Sequence, residues 1–122
     1  MRKMTMNGTN MNNAKKWEIW FAGVMFEDTN QIKKRPVLII DDNLTAGLLL
    51  TLKMTSNPPR NNFYGEYPLK YWSNAGLKKP TTVRVSKKIL MSDNDLQFKI
   101  GKIDNYDIIN IENLILNEKK IS

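Results

Sequence analysis

The stretch Lys33-Lys34-Arg35-Pro36-Val37-Leu38-Ile39-Ile40 decides how the rest of the chain is read. Three cations run into a proline and four consecutive apolar residues, and Asp41-Asp42-Asn43 closes the run with turn-forming side chains. A short Val/Leu/Ile run bounded in this way predicts a strand buried on both faces. Proline lacks an N–H and fixes φ, so Pro36 is expected at the first residue of that strand or on a sheet edge. Arg35 then stands at the mouth of the strand, on a rigid element rather than a swinging loop.

Upstream, Trp17-Glu18-Ile19-Trp20-Phe21-Ala22-Gly23-Val24-Met25-Phe26 is dense in aromatic and β-branched residues and predicts a preceding strand. Gly23 inside it suggests a bulge or sharp bend. Residues 27–34 contain neither Gly nor Pro and read as a polar, mobile connection. Downstream, 47–55 predicts a third strand with Leu48, Leu50, Leu52 and Met54 on one face and Leu49, Thr51, Lys53 and Thr55 on the other. The second face turns polar toward its end, which places Thr55 near the rim of the sheet.

The remainder alternates short strands with turn signals. Asn57-Pro58-Pro59-Arg60-Asn61-Asn62 is a loop, and 64–69 is a short strand that Pro68 assigns to an edge. After the turn at Ser73-Asn74-Ala75-Gly76, residues 81–90 predict another strand, with Thr82, Arg84 and Ser86 on one face. A turn or short helical start at 92–95 leads to a last strand over 96–103. Asp104 then opens a helix as N-cap with Asp107 at N3. Ile108, Ile111, Ile115 and Leu116 form its apolar stripe, and Lys119-Lys120 suit its C-terminal end. Residues 1–15, rich in Asn and Met, read as a disordered tail, and 16–122 as a single domain. The fold class is mainly β (α+β): a small β-barrel with one C-terminal helix.

Composition narrows the chemistry. The chain has no cysteine and no histidine. Disulfides, thiolate nucleophiles and the commonest general base and metal ligand are therefore excluded together. No metal-ligand cluster, phosphate-binding glycine loop or dinucleotide motif is present, and no cofactor is expected. Apolar runs fall far short of a membrane span, and the first residues lack the apolar core of a secretory signal, so a cytoplasmic protein is expected. The net charge of +7 is uneven: residues 1–92 hold 15 Lys/Arg against 6 Asp/Glu, and 93–122 hold 4 against 6. A basic body of this kind suits a polyanionic partner.

Three groups carry candidate chemistry. Arg35 presents a guanidinium fork matched to two phosphate oxygens, but it is never a proton acceptor in the neutral range. Thr55 and Ser56 stand at a strand end, where hydroxyls either close a turn or bond a phosphate oxygen. Arg84, Ser86 and Lys87 form a basic, polar cluster with Lys78, Lys79 and Lys88 nearby, and Tyr64, Tyr71 and Trp72 are available to stack on bases. Each group also has a purely structural reading, as a solvated basic face or a turn closure.

Taken in order, Trp17-Glu18-Ile19-Trp20, Lys34-Arg35-Pro36-Val37-Leu38-Ile39-Ile40, Met54-Thr55-Ser56 and Ala75-Gly76-Leu77-Lys78-Lys79-Pro80-Thr81-Thr82-Val83-Arg84 resemble the PemK/MazF-type toxins of bacterial toxin–antitoxin systems. The resemblance spans roughly residues 16–116 and includes Lys102-Ile103 and the closing helix. It implies a homodimeric SH3-like barrel that cleaves single-stranded RNA without a metal. In that chemistry the ribose 2′-hydroxyl attacks the adjacent phosphate, leaving a 2′,3′-cyclic phosphate and a 5′-hydroxyl. Carried over by motif, the catalytic positions fall on Arg35, Thr55 and Arg84, and the RNA-binding positions on Lys34, Ser56, Arg60, Ser86 and Lys87. The expected partners are single-stranded RNA and a cognate antitoxin, with DNA met only through the antitoxin complex. One departure stands out. The acidic position two residues beyond the strand Arg is Ser86 here, so no proton acceptor is assigned, and Glu18 keeps an acidic position in the first strand. The competing readings are a non-catalytic nucleic-acid- or protein-binding module of the same fold, and a DNA-directed protein of a mobile element.

Overall fold

A computed structural model of the chain describes residues 12–26, 28–45 and 47–121. Among these residues six strands form one antiparallel sheet: β1 (Glu18–Phe26), β2 (Gln31–Asp41), β3 (Leu48–Thr55), β4 (Glu66–Pro68), β5 (Thr82–Ser92) and β6 (Leu96–Lys102). Among the described residues, one α-helix, α1 (Asn105–Ile121), follows the last strand, and a 3-10 turn over Asp93–Asp95 joins β5 to β6. The order across the sheet is β4-β5-β3-β2-β1-β6. The mainly β expectation with one C-terminal helix therefore holds, and none of the described helices is long and apolar enough to cross a membrane.

The run at 37–40 is buried on both faces, as its continuous hydrophobicity requires. Val37 and Ile39 join Trp20, Ala22, Val24, Leu49, Met91 and Leu96 on one side of the sheet. Leu38 and Ile40 join Ile19, Leu52, Met54, Val83 and Val85 on the other, where Ile111 of α1 covers them. Alternation along β2 thus divides its side chains between two cores. Pro36 does not start the strand; it lies in mid-β2 opposite Phe21. It is tolerated because β2 pairs only with β1 up to that point, and the ladder to β3 begins at Val37↔Lys53. Locally, then, Pro36 occupies the edge its missing N–H demands.

Several boundaries differ from expectation. Gln31–Lys34 is strand rather than a mobile connection, paired with Gly23–Phe26. Asn30 takes a left-handed φ of 57°, which lets an Asn close the β1–β2 hairpin without glycine. Gly23 lies in continuous register with Lys34, and the irregularities of β1 fall instead opposite β6, at Ile19/Trp20 and Phe21/Ala22. The segment before β1 is docked from Asn12 onward: the Asn12 amide donates to the Asp93 carbonyl at 3.0 Å, and Ala14 is buried. The tail expectation over 1–11 lies outside the described residues, as do the side chains of Lys119 and Lys120. In α1, Ile108, Ile111 and Ile115 face the core, whereas Leu116 is exposed and Leu114 packs in its place.

The helix start explains how a loop is held. The Tyr106 N–H donates to Asp104 Oδ2 at 2.9 Å, so Asp104 caps as expected. Asp107 instead turns inward. It accepts the Tyr67 hydroxyl at 2.6 Å and the Lys70 and Tyr71 N–H groups at 3.0 Å each. Those bonds anchor the 70–76 turn. The turn then presses on β6 where a side chain would not fit: a Cβ on Gly101 would meet the Ala75 carbonyl oxygen at 2.0 Å, and Gly76 has φ +93°. The close approach delivers Leu77, Lys78 and Lys79 to one side of the sheet.

Candidate active site

One register line crosses the sheet and carries charge at both ends. Glu66 faces Arg84, Arg84 faces Lys53, Lys53 faces Val37, Val37 faces Trp20, and Trp20 faces Lys99. Directly opposed residues project to the same face of a sheet, so this line places Arg84 and Lys53 side by side. Two residues along β3 from Lys53, on the same face, stands Thr55; two along β2 from Val37 stands Arg35.

These side chains meet in a groove of about 990 Å³. Its walls come from Phe21 of β1, Lys34–Pro36 of β2, Lys53–Thr55 of β3 with Ser56 and Asn57, Arg84 of β5, Phe98–Ile100 of β6, and the Gly76–Thr81 segment. Among the described residues, the lining includes seven cations (Lys34, Arg35, Lys53, Lys78, Lys79, Arg84 and Lys99) and no carboxylate.

The three predicted catalytic positions are brought together there. Arg35 is exposed, and its Nη1 donates to the Lys34 carbonyl at 2.9 Å. Thr55 Oγ1 accepts the Asn57 N–H at 3.2 Å, which pins the hydroxyl at the strand end. Arg84 is largely covered, its side chain 14% exposed, and its Nε lies 3.3 Å from Glu66 Oε2. That contact is ionic, because Arg84 Nε makes no aligned hydrogen bond. Lys34 and Ser56 also line the groove.

Arg60, Ser86 and Lys87 do not line it. Arg60 is committed to Glu66, which accepts its backbone N–H at 2.9 Å and its Nε at 3.0 Å and also pairs with its Nη2. The Arg60 guanidinium lies 3.7 Å from the centre of the Phe63 ring. Ser86 leaves the face expected for it because β5 is irregular: its register with β3 steps from Leu52↔Lys88 to Lys53↔Arg84. The three residues between are taken up in a bulge, with Val85 in the core and Ser86 and Lys87 exposed.

Two carboxylates that pair with groove cations, Glu66 with Arg84 and Glu18 with Lys99, are held in place structurally. Glu66 is fixed by Arg60 first, with Arg84 adding to it; despite the opposing cost of burial, its carboxyl is held down at about 2. Glu18 accepts from the Trp20 indole at 2.9 Å and the Lys15 N–H at 2.9 Å, and pairs with Lys99 at 2.9 Å. Burial raises the Glu18 pKa, but the Trp20, Lys15 and Lys99 contacts together bring it below the ordinary value.

Sequence reasoning missed three contributors. Lys53 was placed on the face of Thr55 but given no role. The Phe21 and Phe98 rings stack at a centroid distance of 5.0 Å beside the groove, a pairing that only the β1–β6 register reveals. Lys78 and Lys79 were read merely as neighbours of a basic cluster.

The model of a family described as the PemK-like, MazF-like toxin of type II toxin–antitoxin systems matches residues 15–117. No curated protein sequence matches the chain. Among solved structures, an endoribonuclease from a mycobacterial species superimposes with a TM-score of 0.67 at 12% identity, covering 88% of this chain and 91% of that one. The Mycobacterium tuberculosis toxin MazF-mt6 does so at 0.64 and 22% identity, covering 82% and 93%. The MazE-MazF structure from Deinococcus radiodurans gives 0.57 at 13% identity, covering 84% and 90%. At these identities the structural likeness is one of fold.

Proposed function

Because the chain belongs to the PemK-like, MazF-like toxin family of type II toxin–antitoxin systems, we propose that it is a metal-independent endoribonuclease acting on single-stranded RNA. The observation that carries this reading is the groove lined by Arg35, Thr55 and Arg84, whose charged lining among the described residues is cationic throughout. Cleavage proceeds by attack of a ribose 2′-hydroxyl on the adjacent phosphorus, giving a 2′,3′-cyclic phosphate and a 5′-hydroxyl end. Charge builds on the non-bridging oxygens as the phosphorus becomes five-coordinate. Arg35 and Arg84 stabilise that charge, and the Thr55 hydroxyl donates to it. Donors fixed in advance of the reaction are each typically worth about 10²–10³ in rate.

Lys34, Lys78 and Lys79 hold flanking phosphates, and the Phe98 ring, 54% exposed, offers a stacking face for a base. The toxin acts as a cytoplasmic homodimer. A cognate antitoxin silences it by covering the cationic groove, and DNA is met only through that complex.

Incubating the purified protein with total RNA in EDTA tests the proposal. Discrete fragments with 5′-hydroxyl ends are expected, falling by about 10²-fold or more in Arg35→Ala. Arg35 is exposed, so its loss leaves the fold intact. RNA binding without fragments in either protein would instead identify a non-catalytic binding module.

A further inference from the structure

Resting on that reading, we propose that Lys53 is the general acid of the reaction, the group that protonates the departing 5′-oxygen. Breaking the P–O5′ bond leaves an alkoxide, and a proton supplied there lowers the barrier. Arginine retains its proton throughout the neutral range, so neither Arg35 nor Arg84 suits the task. Four of the groove lysines (Lys34, Lys78, Lys79 and Lys99) are exposed, and Lys99 is paired with Glu18. Lys53 is the half-buried one. It lies opposite Arg84 in register and on the face of Thr55, between the groups that hold the phosphate.

Its surroundings favour release of a proton. Arg84 and Lys87 act on it from β5 and Arg35 from β2, with Asp28 of the β1–β2 turn opposing them. Burial, followed by those three cations, lowers the Lys53 pKa below the ordinary lysine value. The lowered pKa makes its ammonium a readier acid than that of a solvated lysine.

The step balances as written. The 2′-oxygen forms its bond to phosphorus and its proton passes to solvent hydroxide. The P–O5′ bond breaks with its electron pair on O5′, which takes a proton from Lys53 Nζ. The neutral amine then regains a proton from water.

A leaving group that needs no proton separates this role from simple charge stabilisation. The substrate is an oligoribonucleotide containing a cut site first mapped on total RNA, made with either the natural 5′-oxygen or a bridging 5′-sulfur. Under single-turnover conditions K53M is expected to lose about 10²-fold or more on the oxygen linkage, yet cleave the sulfur linkage within a few-fold of wild type. K53R, which keeps the charge but not the transferable proton, should show the same contrast. With wild type, the rate on oxygen climbs with pH and levels off above the lowered Lys53 pKa, because loss of the ammonium offsets the gain in hydroxide, whereas the rate on the sulfur linkage goes on climbing. Binding of the 2′-deoxy oligonucleotide by both variants reports an intact groove. Equal losses on the two linkages with binding retained, or wild-type activity in K53R, would overturn the assignment. Failure of wild-type protein to cut either linkage would instead sink the nuclease reading itself.

Discussion

Glu66 Oε2 lies 3.3 Å from Arg84 Nε, and the same carboxylate accepts the Arg60 Nε at 3.0 Å. An edge strand of three residues, β4, is thereby tied to the one groove guanidinium that is mostly covered. Glu66 acts on the groove through Arg84 and is a positioning residue, since it does not line the groove itself.

That tie predicts an acid-sensitive fold. The Glu66 pKa is depressed to about 2 from an ordinary 4.5, so its contribution is complete above about 4.5 and is lost as pH falls toward 2. Glu66→Gln should be less stable than wild type at pH 7, with the difference narrowing at pH 3. Urea denaturation at the two pH values checks this. A difference that is the same at both would show that Glu66 contributes by shape and not by charge.

The phosphate-holding role of the 76–81 segment predicts a salt signature. Each lysine that neutralises one RNA phosphate contributes about 0.7 to the slope of log affinity against log salt for a single strand. The double variant Lys78→Ala/Lys79→Ala should lower the magnitude of that slope by roughly 1.4 while leaving thermal stability unchanged, because both residues are exposed. Fluorescence anisotropy of a labelled RNA across a salt series measures it; an unchanged slope would remove both lysines from the interface.

Asp107 carries a stability prediction. The residue is 1% exposed, and its carboxylate accepts three hydrogen bonds, from the Tyr67 hydroxyl and the Lys70 and Tyr71 N–H groups. Asp107→Ala leaves those donors without their acceptor and should cost on the order of 3 kcal/mol. The 70–76 turn should loosen first, seen as faster amide exchange at Lys70 and Tyr71 than in β3. Protection lost equally across the sheet would mean that α1 and the turn unfold only with the whole domain.

Much of this was legible in the chain for reasons of local physics. The continuous apolar run at 37–40 predicted a doubly buried strand, and it is one. Pro68 predicted an edge, and β4 is the sheet's outer strand. Asp104 predicted a helix start. Alternation along 47–55 placed Thr55 near the rim of the sheet, and Thr55 is the last residue of β3. The illegible features share one cause: each depends on a partner outside its own segment. The bulge at 85–87 answers to the β3 ladder and to Gly65, whose carbonyl accepts the Val85 N–H at 2.8 Å. No alternation pattern reports it, and it removed Ser86 from the face of Arg84. Arg60 looked like a loop cation open to phosphate until Glu66, six residues on, proved to be its partner.

The sequence by itself determined the element types, the two-sided core of β2 and the absence of histidine and cysteine chemistry, because periodicity, proline and composition act locally. Only the tertiary structure decided which cations share a groove. That choice rests on strand register, on the turn held by Asp107 and on the contact between Gly101 and Ala75, all of them long-range fits that no single segment encodes.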